Sequence, residues 1–256
     1  MGLSHRITPG FTGRESLNYV VSAAGLNEFM ESVQDINPAA EMPDIEVPLQ
    51  GIQKVRHLAG VQSGTGDATL AALDIYELAK IGGVWRDANR ATLRPEDLGK
   101  VDIVRPHIDQ DTNTLMFTEF IRGFKARSLG KRSGTGAAET IAISFTFDDM
   151  VQIEGAVYVD DGALSGASIS LRNTPLVEEG LLRISVEVSG VLTDITDNVG
   201  TWGTASQPSY EVVESTGVVT LYGVSTGDYV VCYATATPDP YAIRDSNKRA
   251  AKVLPS

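Results

Sequence analysis

The stretch Gly223-Val224-Ser225-Thr226-Gly227 matches G-x-S-x-G, the spacing of the hydrolase nucleophile elbow. Elbow chemistry needs a strand that ends, a sharp turn that exposes the serine, and a helix that begins. Here Val218-Val219-Thr220-Leu221-Tyr222 precedes the pentapeptide and Tyr229-Val230-Val231-Cys232-Tyr233 follows it. Both flanks are β-branched and aromatic, so both favour strands. The glycines then read as a hairpin loop, and an earlier turn at Glu214-Ser215-Thr216-Gly217 makes the whole stretch a three-stranded meander. Ser225 as a hydrolase nucleophile is the lesser reading, because the required helix is missing.

The other reactive residue types are scattered. His5, His57 and His107 lie far apart and have no carboxylate at helical or strand spacing, so no metal site is expected from them. Asp148-Asp149 and Asp160-Asp161 are paired carboxylates, but neighbours on a strand face opposite ways and share neither a proton nor an ion easily. They read as turn residues, with Asp160-Asp161-Gly162 closing a strand. The sequence Ser-Gly-Thr-Gly occurs at 63–66 and 133–136, in neither case followed by Lys-Ser or Lys-Thr. Neither is a phosphate-cradling loop, and both read as flexible connections. The single cysteine, Cys232, sits in a strand pattern and reads as a small core residue. No catalytic, cofactor-binding or metal-ligating residue is assigned, no cofactor is implied, and the chain is not expected to be an enzyme.

One basic run stands out. Phe120-Ile-Arg-Gly-Phe-Lys-Ala-Arg-Ser-Leu-Gly-Lys-Arg132 interleaves Arg122, Lys125, Arg127, Lys131 and Arg132 with Phe120 and Phe124. Such a run can bind single-stranded nucleic acid, can be a strand with a basic solvent face, or can meet an acidic surface on another copy. The charge distribution bears on this choice. The net charge is −12, but residues 133–243 carry 15 acidic residues against two basic ones, Arg172 and Arg183, whereas residues 1–132 carry 17 against 15. An acidic half of this kind does not grip DNA, since binding rests on Lys and Arg neutralising phosphates.

The elements that would position these residues are mostly strands. Thr140–Phe147 alternates cleanly, with Ile141, Ile143, Phe145 and Phe147 on one side. Leu181–Val191 does the same, with Leu182, Ile184, Val186 and Val188 inward and Arg183, Ser185, Glu187 and Ser189 outward. The spacing predicts one helix over about 67–81, capped by Asp67, with Leu70 and Leu73 on one face and Gly82 as its stop. Leu26–Ile36 reads as a short helix or part of an arm. Prolines 38, 43 and 48 make an extended connector. Four regions result: an arm and connector over 1–50, a β core over 51–155, a second β region over 156–243, and a basic tail over 244–256. The fold class is mainly β, a sandwich or partly closed barrel with one main helix, plus a C-terminal meander or small second β domain. There is no signal-peptide pattern and no apolar run long enough to cross a bilayer, so a soluble protein made in a cytoplasm, with no membrane partner, is expected.

A resemblance can be placed on particular residues. Tyr210-x-Val212, Thr216-Gly-Val-Val-Thr-Leu221 and Gly227-Asp228-x-Val-Val-x-Tyr233 resemble a meander of tailed-phage virion proteins. The segment Leu115–Gly155, ending in Glu139-Thr-Ile-Ala-Ile-Ser-Phe-Thr-Phe-Asp-Asp-Met-Val-Gln-Ile-Glu-Gly155, is similar to the closing strands of tailed-bacteriophage major tail tube proteins. The region Ser165–Gly180 has no counterpart in that pattern, which leaves the second half as an insertion or an appended domain. The resemblance implies a virion protein of the tail, with a sandwich or barrel core packed into stacked homo-hexameric rings. It further implies other tail proteins as partners, and an acidic channel through which DNA passes at ejection without tight binding. By position, residues 1–16 and 38–50 would bridge successive rings. The alternative reading is another virion component, a capsid decoration or head–tail connector protein.

Overall fold

The computed structural model describes residues 15–16, 18–21, 27–29, 33–41, 44–48, 55–59, 63–70, 84–87, 90–92, 100–109, 111–132, 140–239 and 242–245. These are almost entirely β, arranged in several antiparallel sheets with no closed barrel among the described residues. In chain order the strands are β1 (Glu15–Ser16), β2 (Tyr19–Val21), β3 (Asn27–Phe29), β4 (Val33–Glu41), β5 (Asp44–Pro48), β6 (Val55–Ala59) and β7 (Ser63–Leu70). Then come β8 (Val84–Asp87), β9 (Arg90–Thr92), β10 (Val101–Asp109), β11 (Thr114–Arg132), β12 (Thr140–Phe147) and β13 (Asp149–Ile153). The C-terminal part holds β14 (Ala156–Ala163), β15 (Ser168–Ser170), β16 (Leu176–Val188), β17 (Val191–Asp194), β18 (Ser209–Val213), β19 (Val218–Tyr222) and β20 (Asp228–Thr235). A four-residue helix, α1 (Ala242–Asp245), follows. No helix of the described residues is long and apolar enough to cross a membrane.

The chain divides into two compact units. The second unit, residues 30–102 and 121–151, is built on the order β11-β12-β7-β4. Its inner face carries Ile36, Ala68, Phe124, Ala126, Ile143, Phe145 and Phe147, all buried. This reproduces the alternation predicted for β12 at Ile143, Phe145 and Phe147; the side chain of Ile141 lies outside the described residues. The Ser-Gly-Thr-Gly at 63–66, expected to be a flexible connection, instead opens β7. Gly64 lies across from Phe147 and Gly66 across from Phe145, and the two phenyl rings occupy the space where Cβ atoms would stand. Glycine in a strand interior marks such close approaches. The second copy, at 133–136, falls outside the described residues.

The predicted helix over 67–81 is corrected at its start. Asp67, expected to cap it, and Leu70 lie in β7, facing Ser144 and Ile141 of β12 and Asn37 and Val33 of β4. Sheet pairing on both sides overrides the helical preference of Asp-Ala-Thr-Leu. Residues 71–81 lie outside the described residues. In Leu26–Ile36 the short-helix alternative gives way to strand, since β3 and the start of β4 occupy its described part.

The first unit, residues 1–29, 103–120 and 152–256, has three β layers. One layer is made by β2, β3 and the unit's portions of β10 and β11. A second is the four-stranded sheet β14-β20-β16-β17, and a third is β15-β19-β18. Tyr19, Val21, Val104, Ile108, Phe120, Val157, Val159, Val230, Cys232 and Ala234 fill one core. Ile169, Leu171, Ile184, Val186, Tyr210, Val219, Leu221, Val231 and Tyr233 fill the other. β20 alternates between them, so both of its faces are buried. β16 is likewise enclosed, which corrects the expectation that Arg183 and Ser185 face solvent: both are buried.

Candidate functional site

Ser225 sits, exposed, in the loop between β19 and β20. Gly223 and Gly227 have φ of +88° and +99°, which lets the chain reverse tightly. The loop is pinned by Gly166 N–H donating to the Ser225 carbonyl at 3.1 Å and Leu164 N–H donating to the Gly227 carbonyl at 2.7 Å. A strand enters and a strand leaves, so the elbow geometry is not present at Ser225.

The paired carboxylates divide as their spacing requires, but only one pair lies at a turn. Asp148, at the bend between β12 and β13, meets Lys100 Nζ at 2.6 Å. Asp160 and Asp161, expected in a turn, lie inside β14 opposite Val231 and Val230. Asp160 is 3% exposed and points into the sandwich interior. Its carboxylate accepts from Arg172 N–H (3.0 Å), Arg172 Nε (2.9 Å), Arg172 Nη2 (2.8 Å) and the Tyr233 hydroxyl (3.0 Å). The Asn173 backbone N–H and side-chain amide reach the same hydroxyl at 3.2 and 3.3 Å. Burial, opposed by the Asn173 hydrogen bond and reinforced by the Asp160 charge, holds the Tyr233 phenol far above its ordinary value. A buried carboxylate with four donors is a fastener: it ties the 171–173 loop to the sheet. Arg183, the other cation of the acidic half, meets Asp194 Oδ2 at 3.5 Å.

His107 and His57 fall in different units, and His5 lies outside the described residues. No group of three metal-binding side chains occurs among the described residues. His107 belongs instead to a polar cluster on β10, β11 and β13. Glu119 Oε2 lies 3.0 Å from Arg105 Nη1 and 3.2 Å from His107 Nε2, and Glu119 Oε1 accepts from Gln152 Nε2 at 3.2 Å. The imidazole stacks on Phe117 with centroids 4.3 Å apart. The His107 imidazole against Oε2, and Arg105 beside it, hold the Glu119 carboxyl below its ordinary value against the opposing effect of burial.

The basic run is β11 itself. Phe120 and Phe124 are each 2% exposed, so neither offers a ring for base stacking, and the aromatic interleaving is core packing. Arg127 is exposed and reaches Thr146 Oγ1 at 3.3 Å. It borders a groove of about 620 Å³ on the solvent face of the second unit, lined also by Asn37, Thr65, Asp67, Ser144 and Thr146. These short polar side chains are the outward partners of the inward aliphatic and aromatic set.

Sequence reasoning missed the Asp160 fastener and the Glu119 cluster. A signal for the first was present: Asp160 interrupts the apolar run Ala156-Val-Tyr-Val159 in a half of the chain that holds a cation, Arg172, twelve residues on. Nothing in the sequence places Arg105, Glu119 and Gln152 side by side, since their meeting depends on strand register.

No family model matches the chain, and no curated protein matches it. Among solved structures, a chain of the sheath–tube complex of an extracellular contractile injection system (PVC, extended state) is 15% identical with a TM-score of 0.39, the alignment covering 59% of this chain and 97% of that one. The SPP1 tail tube is 14% identical with a TM-score of 0.36, covering 55% and 76%. A chain from the tail of an empty gene transfer agent particle is 10% identical with a TM-score of 0.34, covering 52% and 92%.

Proposed function

We propose that this chain is a structural subunit of a phage-type tail tube, found in the virion tail. It would self-assemble into hexameric rings that stack into an acidic-lined conduit for DNA, and contact other tail proteins. It acts through shape and charge and carries out no bond-making chemistry. The observation that carries the reading is the arrangement of Leu115–Gly155, the segment that bears the resemblance. It folds as the successive strands β11, β12 and β13, with β12 passing on to β7 and β4.

Two further features support self-association. β5 and β6 pair with each other through Asp44↔Ala59 to Pro48↔Val55 and with no other described strand. A two-stranded ribbon is marginal in water by itself, so a neighbouring copy is a natural support for it. β4 is the last strand in the order β11-β12-β7-β4 among the described strands, and an outer strand is a place where copies could meet. The excess of carboxylates over cations in residues 133–243 would repel a polyanion rather than bind it.

Negative-stain microscopy of the purified chain, with sedimentation across a concentration series, tests this. Rings and stacked tubes are expected. Replacing residues 44–59 with a Gly-Ser linker should leave a folded protomer that no longer stacks. A single ring that never stacks would instead favour a connector, binding to capsid shells a decoration protein, and a persistent monomer would defeat assembly altogether.

A further inference from the structure

The groove on the solvent face of the second unit carries charges of both signs that the fold leaves unused. Strand alternation puts Ser144 and Thr146 of β12 on the face opposite Ile143, Phe145 and Phe147. Cross-strand pairing extends that face in two rows. Lys125 of β11 and Thr65 of β7 lie on either side of Thr146, and Ala39 of β4 lies beyond Thr65. In the next row Ser144 lies beside Asp67, and Asp67 beside Asn37. From β12 to β4 no side chain on these rows is longer than asparagine. They make the floor of the groove of about 620 Å³, and Arg127 borders it.

Asp67 and Arg127 are both exposed. Among the described residues Asp67 and Lys125 make no ion pair, and the Arg127 guanidinium makes only its Nε bond to Thr146 Oγ1, at 3.3 Å. Asp67 stands on β7 and Arg127 on β11, with β12 between them, so their backbones are roughly 10 Å apart at the usual strand spacing. The bond to Thr146 tips the guanidinium over β12, toward Asp67. The Nη atoms are left to face the groove. A ligand bridging the two charges therefore spans roughly 5–10 Å, which an extended peptide of about two or three residues covers.

This arrangement selects its ligand by charge. A simple anion would meet Asp67, and a simple cation would meet Lys125 and Arg127. A neutral ligand would cover both charges and satisfy neither. A dipolar ligand answers both, with an ammonium on Asp67 and a carboxylate on the guanidinium fork. The hydroxyls of Thr65, Ser144 and Thr146 both donate and accept, as peptide groups between the two ends require. The groove volume is that of a small-molecule site, not of a protein flank.

We propose that this groove binds a short peptide by its free ends, the ammonium on Asp67 and the carboxylate on Arg127. The proposal does not rest on assembly into tubes.

Ligand-observed saturation-transfer NMR with the full chain tests it, and reads a protomer or an assembly equally. Triglycine is expected to give a saturable signal with Kd on the order of 1–10 mM, weakened by about 0.5 M NaCl. Acetyl-triglycine and triglycine amide, each lacking one charge, should bind at least about 5-fold more weakly, and so should triglycine to Asp67→Asn and Arg127→Gln. Both variants should keep the parent thermal midpoint, since both side chains are exposed. In Asp67→Asn, acetylating the peptide should cost nothing further, because the partner of its ammonium is already gone. Four results overturn the proposal: no saturable signal with triglycine, equal binding of the doubly blocked peptide, displacement of triglycine by inorganic phosphate, or binding unaltered in both variants. Preference for acetyl-Lys-Gly-Glu-amide over triglycine would also overturn it, and would reassign the groove to the side chains of a protein partner.

Discussion

Asp160 and Glu119 are both carboxylates fastened by several donors, yet they differ in what their removal leaves behind. Asp160 is enclosed, and Arg172 Nε, Arg172 Nη2 and the Tyr233 hydroxyl all point at it. Asp160→Ala strands the buried hydroxyl and a half-exposed guanidinium, so a loss of about 3 kcal/mol is expected in urea unfolding. Asp160→Asn should cost less, because the amide oxygen still accepts. Glu119 gives a pH signature instead. Its carboxyl titrates below the ordinary value in the folded chain, so its stabilisation is fully present above the ordinary Glu value of roughly 4.3. It is lost as pH falls through the depressed folded value. Glu119→Gln should therefore lower stability at neutral pH by about 1–2 kcal/mol. The difference from the parent should shrink toward zero in acid, and a gap that stays constant with pH would mean that the charge contributes nothing.

Strands whose side chains alternate in size and polarity were readable one at a time. Ile143, Phe145 and Phe147 face inward as the period of two requires. β16 was readable on one face only. Its polar set includes Arg183 and Ser185, which look like solvent residues until a further layer is packed over them, and that layer lies far away in sequence. β7 was not readable at all, because its inward positions are Gly64, Gly66 and Ala68, too small to register as an apolar stripe. Their bulk is supplied by β12, whose phenyl rings lie over the glycines. This complementarity predicts a coupling. Gly64→Val should destabilise by about 1–3 kcal/mol through overpacking against Phe147, and Gly64→Val with Phe147→Ala should cost less than the sum of the two single changes in a double-mutant cycle. Strict additivity would mean that the ring and the glycine are not a matched pair. The sites followed the same rule as the elements. The loop reading of Ser225 needed only its flanks, whereas the Glu119 cluster needed the register of three strands.

On the scale of the whole chain, the acidic excess of residues 133–243 has little internal compensation, since its two cations, Arg172 and Arg183, already face Asp160 and Asp194. Under the proposed tube reading, the acidic excess would make assembly sensitive to ionic strength. The first unit also explains why the C-terminal residues belong to the fold. Val230, Cys232 and Ala234 of β20 pack with Tyr19, Val104 and Phe120, while Val231 and Tyr233 pack with Ile184 and Val219. Ending the chain after Gly155 would uncover Tyr19, Val104 and Phe120, and such a truncation is expected in the insoluble fraction on expression. Recovery of a soluble fragment with a cooperative melt would contradict this.

A strand with no solvent side also limits how the gene can be edited. Swapping the segment after Gly155 for an unrelated module, or grafting a reporter into Asp228–Thr235, would tear open two interiors at once. The reversals at Gly190 and Gly166, where an added Cβ would meet nothing within 4 Å, are the places where a peptide tag can be displayed without disturbing either interior.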